Sequence, residues 1–360
     1  MTFLVPFVIS VILAALLIPI VKRAAFAVGA VDRPSADDRK IHKRVMARGG
    51  GVAIYLSFVV VTIAFLPNYS LQFAGLLVAG TIVLLVGLVD DIHRLSPWIK
   101  LFFQILAAII ATVGFKIGID VVTNPFGGVV DLNRLIWQFS FNGLNLSINL
   151  LGSFLAVVWL VGMTNTINFL DGLDGLSGGV AGIAAMVMFF LSVSPRVGQP
   201  ATALISIVLA GATLGYLIYN FYPAKIFNGD SGAYFLGMTL GILAIMSGAK
   251  LATALLVLGL PIIDALWTVL RRILAGRSPF SADRGHLHFL LLDAGLTQRQ
   301  AVLIIYSFSV FFGSMALFTS TNQKVLAIFC MVIMMIFLIG ILELLKYRRT
   351  NGRGRQKSKA

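Results

Sequence analysis

The chain has 360 residues, 59% of them hydrophobic and only 12% charged, a composition that excludes an ordinary soluble domain. Its formal net charge of +14 gathers in the segments between apolar runs, which marks orientation in a membrane and not a nucleic-acid surface. A lone Cys330 excludes an intrachain disulfide framework or a thiolate metal cluster, and reads as a small buried hydrophobe.

Eleven apolar stretches reach about the length that a bilayer core requires, roughly 20 residues. They are Thr2–Val21, Gly50–Leu66, Phe73–Val89, Trp98–Phe115, Ser147–Ile167, Ser177–Val193, Ala201–Phe221, Gly232–Gly248, Leu251–Leu270, Ala301–Thr319 and Val325–Leu345. The first lacks a basic leading segment and a small-residue cleavage site, so it reads as a retained helix. With the amino terminus outside and the helices alternating, 23 Lys and Arg fall on the inner side and 5 on the outer. The positive-inside rule then gives an all-α polytopic membrane protein of about eleven helices, with a cytoplasmic carboxyl terminus. Residues 1–345 form one transmembrane catalytic domain, and residues 346–360 a basic cytoplasmic tail lying against anionic headgroups.

Two inner loops are long and charged, KRAAFAVGAVDRPSADDRKIHKRVMARGGG after the first span and RRILAGRSPFSADRGHLHF after the ninth. The longest outer segment contains WQFSFNGLNLSI, which alternates apolar and polar about Asn142-Gly143. That pair favours a type I′ turn, so a short external β-hairpin is expected, matching Phe141 with Leu144, Phe139 with Leu146 and Trp137 with Ile148.

Asp90, Asp91, Asp171, Asp174 and Asp230 each follow an apolar run and, under this topology, all face the cytoplasm. Carboxylates beside hydrocarbon mark ion or substrate sites. Asp90 and Asp91 repel each other unless a cation stands near, and Arg94 and Lys100 supply positive charge just downstream. In NTINFLDGLDG, Asn168, Asp171 and Asp174 stand three apart, and two Asp-Gly steps turn the backbone where the carboxylates leave the membrane. In NFYPAKIFNGDSG, Asp230 sits between glycines at a helix start. Oxygen ligands without a Cys or His cluster point to Mg²⁺, with Mn²⁺ as the alternative, and not to zinc. In RGHLHF, His286 and His288 could donate to a phosphate or contact a nucleotide, although alternate residues do not share a helix face.

These segments resemble the polyprenyl-phosphate N-acetylhexosamine-1-phosphate transferase family from about Asp32 to about Leu292. The matching motifs are DRP…RKIH with R-x-GG, VDDIHRLSPWIK, NTINFLDGLDGL, NFYPAKIFNGDSG, P-x-x-D at Pro261–Asp264, and GHLHF. The resemblance implies transfer of a sugar-1-phosphate from a UDP-sugar to a polyprenyl phosphate such as undecaprenyl phosphate, at the cytoplasmic face of the plasma membrane. UMP is released and Mg²⁺ is required. It implies Asp230 as the Mg²⁺ ligand, and Asp90 and Asp91 as the acidic pair that handles the lipid phosphate. Asp171 and Asp174 belong to the nucleotide and catalytic wall with Asn168 beside them, and Asn220 and Phe227 are nucleotide contacts, Phe227 stacking on uracil. Lys43, His286 and His288 match further family positions, and a homodimer is compatible with it. Arg94 stands where many relatives have lysine, which keeps charge but changes geometry, and Phe289 stands where many have another histidine. The pattern is nearer the branch using UDP-GlcNAc, which starts teichoic acids and O-antigens, than the branch using UDP-MurNAc-pentapeptide. A secondary transporter is the reading outside this class, but its ionisable groups would lie near the bilayer midplane, where only Asp264 falls clearly within a span.

Overall fold

Without water in a bilayer core, backbone groups must pair within each segment, and the apolar runs of this chain do so as helices. A computed structural model describes residues 2–34, 44–124, 128–133, 135–141, 144–195, 197–247, 251–278 and 284–357. The helices are α1 (Leu4–Val28), α2 (Gly50–Phe65), α3 (Leu71–His93), α4 (Pro97–Ile109, running into a π-helical turn over Ile110–Gly114), α5 (Leu150–Leu170), α6 (Leu176–Val193) and α7 (Pro200–Asn220). They continue with α8 (Gly229–Met246), α9 (Leu251–Val257), α10 (Gly259–Leu274), α11 (Leu287–Asp293), α12 (Gln298–Phe318) and α13 (Thr321–Lys357).

Among the described residues, nine helices are long and apolar enough to cross a membrane. Two of the eleven expected spans depart from that pattern. The shorter is α2, with 16 residues. The stretch expected as one helix over Leu251–Leu270 is instead α9 and α10, bent by 80°. Pro261 explains the break. It has no N–H for the Val257 carbonyl and its ring collides with that group, and α9 stops at Val257. Helix α13 runs on from the last apolar run through the basic residues to Lys357. Cys330 is exposed on α13 and not buried as expected.

At the centre stands α8, 89% buried over its apolar window and packed against α2, α3, α5 and α6. Small residues let such backbones approach. On α3, a Cβ at Gly87 would lie 2.4 Å from the Ser231 backbone nitrogen. This contact sets the end of α3, with Asp90 and Asp91, against the start of α8, with Asp230.

Short ladders complete the fold. β1 (Val31–Asp32) pairs antiparallel with β2 (Met46–Ala47), closing the first charged loop at its base. β3 (Val121–Thr123) pairs with β4 (Val129–Asp131), a ladder the sequence pattern did not suggest. β5 (Ile136–Phe141) pairs with β6 (Leu144–Asn149), setting Phe141 opposite Leu144, Phe139 opposite Leu146 and Trp137 opposite Ile148. The Asn142-Gly143 turn itself lies outside the described residues.

Candidate active site

The first turn of a helix presents backbone N–H groups without intrahelical partners, and these attract negative charge. Asp91 meets that need for α8. Its Oδ1 accepts the Asp230 N–H at 3.0 Å, and its Oδ2 accepts the Ser231 N–H at 3.2 Å and the Ser231 hydroxyl at 2.9 Å. Gly229 precedes them with φ 77°, and a Cβ there would lie 2.4 Å from Asp91 Oδ2, so only glycine suits both the conformation and the space. Asp91 is therefore enclosed, with its side chain 0% exposed.

Its neighbour Asp90 faces the other way. Asp90 Oδ1 accepts the Leu95 N–H at 2.7 Å, and Oδ2 lies 3.2 Å from Lys100 Nζ. The same ammonium reaches Asp230 Oδ2 at 3.1 Å. Asp230 also accepts from Asn168 Nδ2 at 3.1 Å and from the Tyr234 hydroxyl at 3.0 Å. Lys100 is delivered by the start of α4, where Pro97 occupies the first turn and Ser96 Oγ caps the Ile99 N–H. A second cation, Arg48, stands 3.6 Å from Asp32 and 3.6 Å from Asp91. Burial works against its charge, but Asp91, Asp32 and Asp230 outweigh that and hold its pKa above the usual arginine value.

Asp171 follows α5 and accepts the Ser177 hydroxyl at 2.5 Å. Burial pushes its carboxyl up to about 7, against the lowering influence of that hydrogen bond. Asp174 Oδ2 accepts the Ala224 N–H at 2.9 Å. Asn220 accepts the Gly175 N–H at 2.9 Å and donates to the Ile226 carbonyl at 2.8 Å. Asp174 and Asn220 thus tie the Asp171–Gly175 turn to the loop before α8, with both ends of the Asn220 amide engaged by backbone. Phe227 is half-buried on that loop, and its backbone bonds Ala47 and Gly50 at 2.9 Å each.

The histidines arrive from the far end of the chain. His286 Nδ1 lies 2.9 Å from Asp264 Oδ2, and Asp264 Oδ1 accepts the Leu287 N–H at 2.7 Å. His286 is extended and α11 begins just after it, so the helical rule for alternate residues does not apply. The two rings instead stack with centroids 5.7 Å apart. His288 is buried, and burial holds its imidazole well below the usual range. Neither of its ring nitrogens has a hydrogen-bond partner among the described residues. A Cβ on Gly172 would lie 2.3 Å from His288 Nε2, so this pair abuts the Asp171–Gly175 turn.

The expected residues Asp90, Asp91, Asn168, Asp230 and Lys100 therefore converge on one cluster, with Asp171 and the histidines bordering it. Arg94 does not join. It caps α3 in the left-handed region (φ 52°), is exposed, and its guanidinium makes no ion pair among the described residues, because the chain turns away there before α4 brings Lys100 back. Lys43 lies outside the described residues. Sequence reasoning left three participants without a role: Arg48, visible only as part of R-x-GG, Asp264, and Ser177.

Among the described residues no three His, Cys, Asp or Glu side chains are placed to cage a metal unaided. Asp90 Oδ2 and Asp230 Oδ2 nevertheless converge on a single ammonium. Two hard carboxylate oxygens, to be completed by phosphate oxygens, are the donor set that Mg²⁺ favours. The residues fit that ion.

The sequence profile described as glycosyl transferase family 4 matches residues 73–248. The chain is 34% identical to the probable undecaprenyl-phosphate N-acetylglucosaminyl 1-phosphate transferase of Bacillus subtilis (strain 168), over 94% of this chain and 91% of that protein. It is 33% identical to the decaprenyl-phosphate N-acetylglucosaminephosphotransferase of Mycolicibacterium smegmatis, over 79% of this chain and 74% of that one. Identity to the phospho-N-acetylmuramoyl-pentapeptide-transferase of Moorella thermoacetica is 29%, over 76% and 83% respectively.

Proposed function

The chain belongs to glycosyl transferase family 4, the polyprenyl-phosphate N-acetylhexosamine-1-phosphate transferases, and we propose that it transfers GlcNAc-1-phosphate from UDP-GlcNAc to undecaprenyl phosphate. On this reading it is a multi-pass plasma-membrane enzyme of eleven spans, with the amino terminus outside and the site at the cytoplasmic face. It starts a cell-surface polymer of the teichoic acid or O-antigen kind. The names of the relatives support the lipid and the sugar, and the 23-to-5 split of basic residues supports the orientation. The observation that carries the chemistry is the convergence of Asp90 and Asp230 on Lys100 at the adjoining ends of α3, α4 and α8.

The reaction brings two anions together, so positioning and charge neutralisation dominate its barrier. A lipid phosphate oxygen attacks the sugar-bearing phosphorus of the nucleotide. The bond from that phosphorus to the bridging oxygen breaks, and UMP leaves with the electron pair. The lipid phosphate has a second pKa of about 6 and is largely dianionic near pH 7, so Asp90 orients it and need remove little or no proton. Lys100 holds the incoming phosphate beside Asp90. Asn168 and Tyr234 fix the Asp230 carboxylate through hydrogen bonds to its two oxygens. Asp230, with Asp90 beside it, would hold Mg²⁺, which when bound neutralises phosphate charge. Asp171 and the stacked histidines form the wall behind the nucleotide.

The test is UMP release by purified protein with undecaprenyl phosphate and Mg²⁺ against UDP-GlcNAc, UDP-GalNAc and UDP-MurNAc-pentapeptide in parallel. UMP from UDP-GlcNAc alone is the expected result. Release only from the pentapeptide donor moves the protein to the peptidoglycan branch, and no release from any donor ends the transferase reading.

A further inference from the structure

Among the described residues two cations serve the carboxylate cluster, and they are held in different ways. Lys100 belongs to α4, an apolar helix of membrane-crossing length, and its ammonium is hydrogen-bonded to Asp90 at 3.2 Å and Asp230 at 3.1 Å. Arg48 belongs to the segment between β2 and α2, and that segment is stitched to the loop before α8. Ala47 O accepts the Phe227 N–H at 2.9 Å, the Gly50 N–H donates to Phe227 O at 2.9 Å, and the Gly51 N–H donates to Asn228 O at 3.1 Å. The Arg48 backbone N–H is itself fixed on Ala30 O at 2.9 Å. The backbone that carries Arg48 is thus anchored on the loop before α8, a different element from the helix that carries Lys100.

The Arg48 side chain is not saturated by its neighbours. Its ion contacts to Asp32 and Asp91 are 3.6 Å each, beyond good hydrogen-bond length. Asp91 already accepts three donors from Asp230 and Ser231. Arg48 remains 29% exposed while facing that enclosed carboxylate. A planar fork of donors, partly open and electrostatically held, suits two phosphate oxygens at once, whereas an ammonium acts as a point charge.

Resting on the transferase reading, we propose that Arg48 binds the diphosphate of the nucleotide sugar, which leaves Lys100 to receive the lipid phosphate. The two anionic substrates then have one cation each, on separate elements, and meet across Asp90 and Asp230. A role confined to neutralising Asp32 and Asp91 would instead affect folding and turnover without selecting between substrates.

The experiment uses the full chain in detergent with Mg²⁺, and measures equilibrium binding of UDP and of UMP, KM for UDP-GlcNAc and for undecaprenyl phosphate, and thermal stability. Loss of a charge-assisted hydrogen-bonded contact corresponds to about a tenfold to hundredfold weakening. Arg48→Gln and Arg48→Lys should both weaken UDP binding by that order, UMP binding less, and raise KM for UDP-GlcNAc with KM for undecaprenyl phosphate unchanged. Lys100→Gln should raise KM for undecaprenyl phosphate. Wild-type UDP affinity in Arg48→Lys would overturn the fork geometry, and a rise confined to KM for undecaprenyl phosphate would assign Arg48 to the other anion. Unchanged UDP affinity with lowered stability would leave Arg48 a structural neutraliser and overturn the proposal. Arg48→Lys keeps the charge, so it decides the matter if the glutamine variant does not fold. UDP binding needs no turnover. A wild type that binds UDP through Arg48 yet releases no UMP from any donor would sink the transferase reading and not this one.

Discussion

Asp91 and Asp230 are joined through the main chain of one and the side chain of the other. Asp91 Oδ1 takes the Asp230 backbone N–H at 3.0 Å, which leaves the Asp230 carboxylate to face Lys100 and Asn168. Two aspartates that look equivalent in the sequence therefore divide the work, one building the helix start and the other presenting charge. Asp230→Asn should lower turnover by about 10²–10³, the scale of losing one key electrostatic group, with little change in thermal stability. Asp91→Asn replaces an oxygen that accepts two Ser231 donors, or the one that accepts from Asp230, with an amide that cannot accept. It should lower stability and turnover together. UMP release and a thermal melt on both variants separate the roles, and a stable but inactive Asp91→Asn would show that Asp91 acts on substrate directly.

Gly229 tests the packing behind that arrangement. An added methyl meets Asp91 Oδ2 at 2.4 Å, and the left-handed φ of 77° adds strain for any L side chain. Gly229→Ala should cost on the order of 1–3 kcal/mol from the backbone strain and displace the start of α8. Turnover should fall at least tenfold at saturating substrate. Wild-type turnover and melting in this variant would mean the loop relaxes without disturbing Asp91.

How far these features can be read from the sequence depends on their range. The apolar runs, the hairpin partners and the aspartates are local patterns, legible as hydrophobicity, alternation and charge out of place. The break at Pro261 was equally local, but a proline within an apolar run can bend a span or merely end it, and packing decides which. The role of Arg48 was hidden because it depends on its approach to Asp91 and on the bonds of its neighbours Ala47 and Gly50 to Phe227, far away in the chain. Asp264 was hidden for the same reason. It sits among apolar residues of α10, and nothing nearby in sequence marks His286 as its partner. Arg94 misled for the opposite reason, being close to Asp90 and Asp91 in sequence but directed away by the left-handed cap of α3.

His288 gives a pH dependence whose sign can be worked out. Burial holds its folded pKa well below the value of about 6.5 expected in the unfolded chain. As pH falls through that window, the unfolded chain takes up a proton that the folded protein does not, so stability declines on acidification. The melting temperature of the wild type should drop between pH 7.5 and 5.5 more steeply than that of His288→Gln, which cannot titrate. Parallel slopes for the two proteins would show that the imidazole is solvated or paired when folded.

The last prediction concerns Asp264 and His286. Asp264 Oδ2 meets His286 Nδ1 at 2.9 Å while Oδ1 holds the Leu287 N–H at 2.7 Å, so one carboxylate fixes both the ring and the backbone that carries it. A carboxylate on one ring nitrogen fixes the orientation of the imidazole, the arrangement that makes a histidine a directed polar group. With both oxygens taken up by His286 and the Leu287 N–H, Asp264 would act on the proposed reaction through the ring, as a positioning residue. Asp264→Asn can still accept the Leu287 N–H, so the fold should persist with a modest fall in melting temperature. Turnover should fall by about tenfold to a hundredfold, the scale of losing a group that orients a functional histidine. If the two residues act as a unit, their effects are not additive. The double variant Asp264→Asn with His286→Ala should then be no slower than His286→Ala alone, and its pH–rate profile should match that of the single histidine variant. Multiplying losses in the double variant would mean that Asp264 contributes independently of the ring, through the start of α11 or through charge alone.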